Sequence, residues 1–311
     1  MGRFIVRRLL QSVVLVFAVM TLSFVLINLT PGGPEAALIQ NPRVSAETIQ
    51  RMRQRFGLDD PLPVQYFKWM VAVAQGDLGR SYAYSLPVTE VIASRVWPTL
   101  QLGLMSYAFG LLGVPLGVYA ASKRGALRDQ AIRLLTVLGT AVPTWWLALS
   151  IIVFMSSTIG WFPNGQGSGS LGDWLKHIIL PAILLGLGGL ITFTRFVRSE
   201  VLEVLSSDYV RTARAKGLAE PVVQRAHVLR TALTPVITLL GSLLPAVLSG
   251  AVITETIFNW PGMGRLFIEA ASARDRPLLL GMLLLGTVLT IVGTLLADIG
   301  YGLADPRVRY S

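Results

Sequence analysis

The stretch "SSDYVRTARAKGLAEPVVQRAHVLR", Ser206 to Arg230, carries the densest polar chemistry of the sequence. Asp208 opens it, and cations follow at Arg211, Arg214, Lys216, Arg225 and Arg230, with a glycine and a proline between them. Interleaved cations of this kind meet phosphates, acidic protein surfaces or anionic lipid. Nucleotide hydrolysis asks for more. A P-loop needs glycine directly before its lysine, because backbone amides cradle the phosphates while the lysine reaches the outer ones. The four lysines here follow Phe67, Ser122, Leu175 and Ala215, so the chain holds no P-loop. Neither G-x-S-x-G nor H-E-x-x-H occurs. There is no cysteine, and His177 and His227 stand far apart, so no metal site and no catalytic residue is expected. A formal G-x-G-x-x-G, Gly167 to Gly172, follows no predicted strand. It reads as a loop and not as a dinucleotide site.

The elements that must position this segment are apolar. Of 311 residues 53% are hydrophobic and 14% charged, well below the roughly 25% charged of a soluble domain, and the mean hydropathy is +0.61. Six runs are each about long enough to span a bilayer: Leu9–Leu29, Leu100–Ala121, Leu134–Ile159, Ile178–Thr194, Leu233–Thr254 and Leu278–Ala297. None contains a charged residue. The net charge of +10 falls in patches between the runs, which favours an anionic membrane surface over nucleic acid. The expected fold is therefore all-α, a polytopic membrane protein of about six helices. The first run follows Arg3, Arg7 and Arg8 but is longer than a signal-peptide core, and it reads as an uncleaved span. With the N-terminus in the cytoplasm, inner segments hold 16 Lys and Arg and the short outer loops 4. That bias puts both termini, and the Ser206–Arg230 segment, on the cytoplasmic side. Ionisable residues at the run ends are Arg195, Glu255 and Asp298. None sits at mid-bilayer, which weakens a proton-coupled carrier.

The outer segment 30–98 is the one soluble-looking piece, between a first span within 1–29 and a core at 99–311. "TPGGP" stops the first helix. Ser45 and Gly57 bound one short helix, and a second offers Tyr66, Phe67, Met70 and Val71 as an apolar face. The segment reads as a cap over the outer mouth. Gly113 and Gly117 have the spacing of a helix-packing face, Pro115 invites a bend, and "LLGLGGL" in the fourth run suits close helix contact.

Within the basic segment, Ser206, Ser207 or Asp208 can cap a helix that Gly217 stops. Glu220-Pro221 starts a second helix with Val223, Ala226, Leu229 and Leu233 along one side, leading into the fifth run. Its bland reading is a positive loop that only sets topology. Its functional reading is a docking element whose link to a span turns a partner's movement into span movement.

The segment resembles the cytoplasmic coupling loop of ABC importer permeases, most closely the dipeptide/oligopeptide/nickel branch, in which "DYVRTARAKGL" is a recurring form. The generic motif reads Glu-Ala-Ala, Gly, then Ile-x-Leu-Pro. Here Arg211, Thr212 and Ala213 take the first three places, Gly217 is retained, and His227, Val228, Leu229 and Arg230 stand where the last four would fall. "FGLDDPLPVQYFKWM", "GDLGRSY", "VPLGVYAASKRG", "TETIFNWPGMGRLFIEAASARDRPLL" and "DPRVR" extend the resemblance over nearly the whole chain, as the first-type permease. The resemblance implies a transport subunit of the bacterial inner membrane and not an enzyme. It implies a second permease, two P-loop ATPases that hold ATP and Mg, an extracytoplasmic binding protein, and no cofactor on this chain. It gives Asp208, Tyr209, Arg211, Thr212, Ala213, Arg214, Ala215, Lys216 and Gly217 the ATPase-coupling role, with Ala213, Ala215 and Gly217 at the tightest contact. Glu255, Phe258, Trp260, Pro261 and Gly262 are candidates for an outer gate or pathway, Glu255 as a group that attracts a peptide amine. Peptide is the expected solute. Nickel or another small solute, a self-sufficient secondary carrier, and a membrane scaffold without transport stay open.

Overall fold

A computed structural model describes residues 2–29, 46–55, 57–122, 124–161, 163–167, 169–233, 236 and 251–304. The order of elements is α1 (Gly2–Leu29), α2 (Ala46–Arg55), α3 (Leu62–Ala74), α4 (Val88–Leu111), α5 (Gly113–Ala121), α6 (Leu127–Ala141), α7 (Thr144–Thr158), α8 (Leu171–Leu205), α9 (Asp208–Ala215), α10 (Glu220–Val222), a π-helical stretch (Val223–Leu229), α11 (Arg230–Ala232), α12 (Val252–Ile257), α13 (Met263–Ser272) and α14 (Arg276–Ala304). The described residues form no strand, only an isolated bridge between Arg80 and Pro87. The fold is all-α, as the composition implies.

Among the described residues, four helical segments are long and apolar enough to cross a membrane: Leu10–Leu29, Val88–Ala121, Leu171–Leu205 and Arg276–Leu295. They correspond to the first, second, fourth and sixth apolar runs. The third run is not one straight span. It is divided between α6 and α7, which meet at 94°. Pro143 is the cause: it has no N–H to give, and it holds Val142 extended at φ −98° and ψ 122°. Most of the fifth run, Leu233–Thr254, lies outside the described residues, as do Ser45, "TPGGP" and "DPRVR". Asp298 lies on α14, but its side chain is also outside the described set. Where Pro115 invites a bend, the helix is interrupted at Leu112, between α4 and α5, within one 34-residue span. Proline at 115 leaves the Leu111 carbonyl without its helical donor, and the Leu112 N–H turns to Phe109 O at 3.1 Å.

The α4–α5 pair lies along α8, and glycines set how closely. A Cβ at Gly113 would overlap the Leu190 carbonyl, and one at Gly186 would overlap the Ser106 carbonyl. At Gly117 it would sit 2.7 Å from Thr194 O. Gly113 and Gly117 thus lie against Leu190 to Arg198 of α8, and Gly186 and Gly189 of "LLGLGGL" against Ser106 to Gly110 of α4, so both expected faces fall on one seam, one after the other. In a bilayer lipid tails are as apolar as leucine, so helices gain by dense packing and not by escaping water. At one end of this seam α6 is pinned to α8 by a two-pronged ion pair. Arg198 donates from Nε to Asp129 Oδ1 at 2.6 Å and from Nη2 to Oδ2 at 2.9 Å, with Asp129 buried.

The segment between α1 and α4 docks on α1. Tyr66 and Trp69 of α3 pack on Phe24, with centroids 5.2 and 5.6 Å away, and Tyr66 OH lies 2.7 Å from Thr21 Oγ1. The expected apolar face is therefore rotated. Phe67 stands 69% exposed and Val71 also faces outward, because the aromatic cluster with Phe24 recruits Trp69 in their place. Gly57 ends α2 as expected, at φ 61°, with Leu58 N donating to Arg53 O at 2.9 Å.

The seam generates a mutational contrast. Gly186→Val should lower the thermal midpoint of the detergent-solubilised protein, at a cost of about 1–3 kcal/mol for overpacking. Gly188→Val, two residues along with nothing within 4 Å of the new Cβ, should leave it nearly unchanged.

Candidate functional site

The basic segment folds as a helix, a glycine turn and a second helix. Ser207 is extended at the start of α9, but its hydroxyl donates to Val204 O at 2.6 Å instead of capping the helix. Gly217, at φ 76°, ends it. Gly217 N donates to Arg214 O at 2.9 Å and Leu218 N to Ala213 O at 3.4 Å, the paired bonds of a Schellman stop. Across the turn Arg214 grips Glu220 with two bonds, of 3.1 and 2.8 Å. That guanidinium holds the Glu220 carboxyl below its ordinary value of 4.5. The contribution of the pair is present above that value and is lost as pH falls through the lower folded value; both groups are half exposed, so it is small.

α9 is bolted down from one side. Val210 and Ala213 are buried with Val197, Val201 and Val204 of α8 and with Val223 and Val228 beyond the turn. Ala213 therefore does not stand at a partner surface as expected, because it packs into its own chain. Asp208, Tyr209, Arg211, Thr212, Arg214, Ala215, Lys216 and Gly217 are exposed, joined by Leu218 and Val222. The result is an apolar patch ringed by cations, rigidly attached to a 35-residue helix.

The second helix also departs from its expected register. Val223 to Leu229 is π-helical, which widens the turn. The buried side becomes Val223, Val228 and Ala232, while Ala226 is exposed and Leu229 and Leu233 are only partly covered. Pro221 opens α10 as expected.

Toward the other end of α8, the five candidates for an outer gate are packed into the interior. Glu255, Phe258 and Trp260 are fully buried, Gly262 is buried too, and Pro261 is half-buried. Thr99 donates to Glu255 Oε1 at 3.0 Å, and the Arg265 backbone N–H donates to Oε2 at 3.0 Å. Met263 N in turn donates to Thr99 Oγ1 at 2.7 Å. Together Glu255 and Thr99 satisfy the first-turn amides of α13, where a negative charge is favoured. Trp260 Nε1 donates to Pro98 O at 2.9 Å, tying the same turn to α4. A Cβ at Gly262 would overlap the Glu255 carboxylate. Glu255 is thus a satisfied internal cap and not a group open to a peptide amine.

A second carboxylate repeats the device nearby. Buried Asp275 precedes α14 and accepts from Leu278 N at 3.2 Å, from Ser81 Oγ at 2.5 Å and from Ala83 N at 3.0 Å. Tyr84, held by the same turn, donates to Glu269 Oε2 at 2.6 Å, and Arg265 Nε lies 2.8 Å from Glu269 Oε1. Burial first, and then the Glu269 bond, push the Tyr84 phenol above its usual range.

Residues 113–310 match the family described as binding-protein-dependent transport system inner membrane component, and residues 1–103 match its N-terminal companion. The chain belongs to that family. It is 39% identical over the whole of both chains to an oligopeptide transport system permease protein of Bacillus subtilis. It is 40% identical, again over the full length of both, to a putative peptide transport system permease protein of Brucella abortus. With a di/tripeptide transport system permease protein of Pseudomonas aeruginosa it shares 39% identity, over 99% of this chain and 98% of that one. An inward-facing structure of the MetNI methionine ABC transporter is 17% identical, covers 70% of this chain and 97% of its own, and has a TM-score of 0.53. That likeness shows the fold. The chain is a multi-pass permease subunit of an ABC importer, a transport component and not itself an enzyme.

In this permease the sequence points to the Glu255–Gly262 turn but not to the residues that hold it. Thr99, Asp129, Arg198 and Asp275 were not singled out. Asp275 carried a signal, a carboxylate directly before a helix with proline in its first turn. Removing Glu255 strands the donors it serves. Glu255→Ala should cost about 1–3 kcal/mol, seen as a lower thermal midpoint and faster proteolysis of the α12–α13 turn. Thr99→Ser, which keeps the hydroxyl, should retain most of the stability that Thr99→Val loses.

Proposed function

We propose that this permease forms, with a second permease, the pathway of a peptide importer energised by two separate P-loop ATPases. Solute arrives from an extracytoplasmic binding protein. The chain itself binds no cofactor, and ATP and Mg belong to the ATPases. Both termini and α9 face the cytoplasm, a placement supported by the 16-to-4 bias of Lys and Arg. Peptide as the solute is supported by full-length similarity near 40% to permeases named for peptide transport.

One observation carries the coupling role: α9 is exposed on one face and buried on the other. Tyr209, Leu218 and Val222 with Arg211, Lys216 and Arg225 offer an ATPase an apolar patch with a cationic rim. Val210 and Ala213 fix the opposite face to α8, so α9 cannot be displaced without pulling α8 and the π-helical stretch with it. The coupling contacts are then Asp208, Tyr209, Arg211, Thr212, Arg214, Ala215, Lys216 and Gly217, with Ala213 as anchor instead of contact. Nothing within 4 Å would obstruct a Cβ at Gly217, but its φ of 76° strains any other residue. Gly217 therefore acts through the turn it permits.

In reconstituted complexes, Leu218→Asp should abolish peptide uptake and the ATPase activity stimulated by the binding protein. Gly217→Leu should reduce both. Membrane insertion and assembly of the two permeases should be retained in each. Normal uptake by Leu218→Asp would remove the docking role from this surface, and uptake that persists without the ATPases would make the chain a self-sufficient carrier.

A further inference from the structure

The elbow between α6 and α7 lies at a depth where irregular backbone has few permitted surroundings. Its level follows from α8, along which both halves lie. Gly139 of α6 sits against Ile191, and Ala148 of α7 packs with Leu184. At 1.5 Å per residue, Leu184 and Ile191 stand roughly 9 and 20 Å along α8 from Ile178, the outer end of its apolar run. The elbow between them is inside the hydrocarbon layer.

Its backbone is open. Pro143 provides no side-chain cap for α7, and among the described residues the first-turn N–H groups of Thr144, Trp145 and Trp146 have no backbone partner. Thr140 donates its hydroxyl to Val137 O at 2.7 Å, and Pro143 has no N–H for the Gly139 carbonyl. Every residue from Ala141 to Trp146 is exposed, Trp145 at 49% and Trp146 at 53%. Open amides of this kind do not face lipid; at this depth they face protein or a water-filled cavity. A subunit interface would have to match several donors and carbonyls at once. Water satisfies them without matching.

We propose that the elbow Ala141–Trp146 lines the aqueous pathway at mid-depth, with Trp145 and Trp146 on its wall. This deepens the importer reading and rests on the chain being a pathway subunit. The solute then passes a surface of indole faces and unpaired backbone groups, which suits amide-bearing molecules of varied side chain better than it suits an ion.

The chain has no cysteine, so each introduced thiol is unique to its position once the partner chains are rendered cysteine-free. Ala141→Cys and Thr144→Cys, in the assembled complex in freeze–thawed proteoliposomes, are treated with a charged, membrane-impermeant thiol reagent. Val14→Cys on the exposed face of α1 is the lipid-facing control, and Leu171→Cys at the start of α8 the water-facing one. The expected result is labelling of both elbow positions at a rate close to that of Leu171→Cys, and little at Val14→Cys. Labelling only by a lipid-soluble maleimide would overturn the proposal by placing the elbow against lipid. So would resistance to both reagents together with cross-linking to the second permease, which would make the elbow an interface. A variant lost to misfolding is replaced by Thr140→Cys, a near-isosteric change on the same exposed backbone. Since labelling does not depend on uptake, failure to import peptide leaves the accessibility result standing, and the two readings fail separately.

Discussion

Backbone-to-backbone contact between the α4–α5 pair and α8 is the constraint on which the rest of the molecule is hung. Ser106, Leu190 and Thr194 present carbonyl oxygens where any side chain opposite them would collide, so glycine stands at 186, 113 and 117. Burial from water rewards little in lipid, and such contact supplies dispersion that bulkier helices would forfeit. It also fixes α8 as a rigid rod, since two helices interlocked at this range slide or rotate only by breaking the fit along the whole seam.

The basic segment and the Glu255–Gly262 turn are both attached to that rod. Arg198 ties it to α6 near one end, and Val197, Val201 and Val204 seat α9 there. Near the other end Ile178 and Ala182 pack with Trp260, and Leu184 packs with Phe258 and Ala148. The Glu255–Gly262 turn therefore sits on the same helix as α9, and Glu255 closes that turn by capping α13 from within. A movement imposed at α9 has a continuous packed route to the turn that holds Trp260.

What could be read from the sequence was what periodicity and local turn chemistry determine. The apolar runs, the Gly217 stop, the proline start at Glu220-Pro221 and the glycine packing faces all depend on neighbours within a turn or two. The elbow at Pro143 was hidden because a run of apolar residues looks the same straight or broken, although the proline was in plain sight. Ala213 was misplaced because a small residue suits either a partner or the chain's own core, and only the position of α8 decides. Glu255 was misread for a related reason. A carboxylate at the end of an apolar run is indistinguishable in sequence from a solvent-facing charge, and its true partners, Thr99 and the amide of Arg265, come from a distant helix and from a turn that must first fold back.

The π-helical stretch Val223–Leu229 adds a consequence of another kind. A π turn is an α-helix that has absorbed a residue, and each residue of an α-helix advances the azimuth by roughly 100°. The stretch therefore works as slack in the chain between the glycine turn and Arg230. Loss of a single residue within it would restore ordinary pitch and move each side chain on one side of the cut by one place along the helix, while the helix axis keeps its course. A change of length by one residue can thus be taken up here without drawing Val210 and Ala213 out of the core they share with α8.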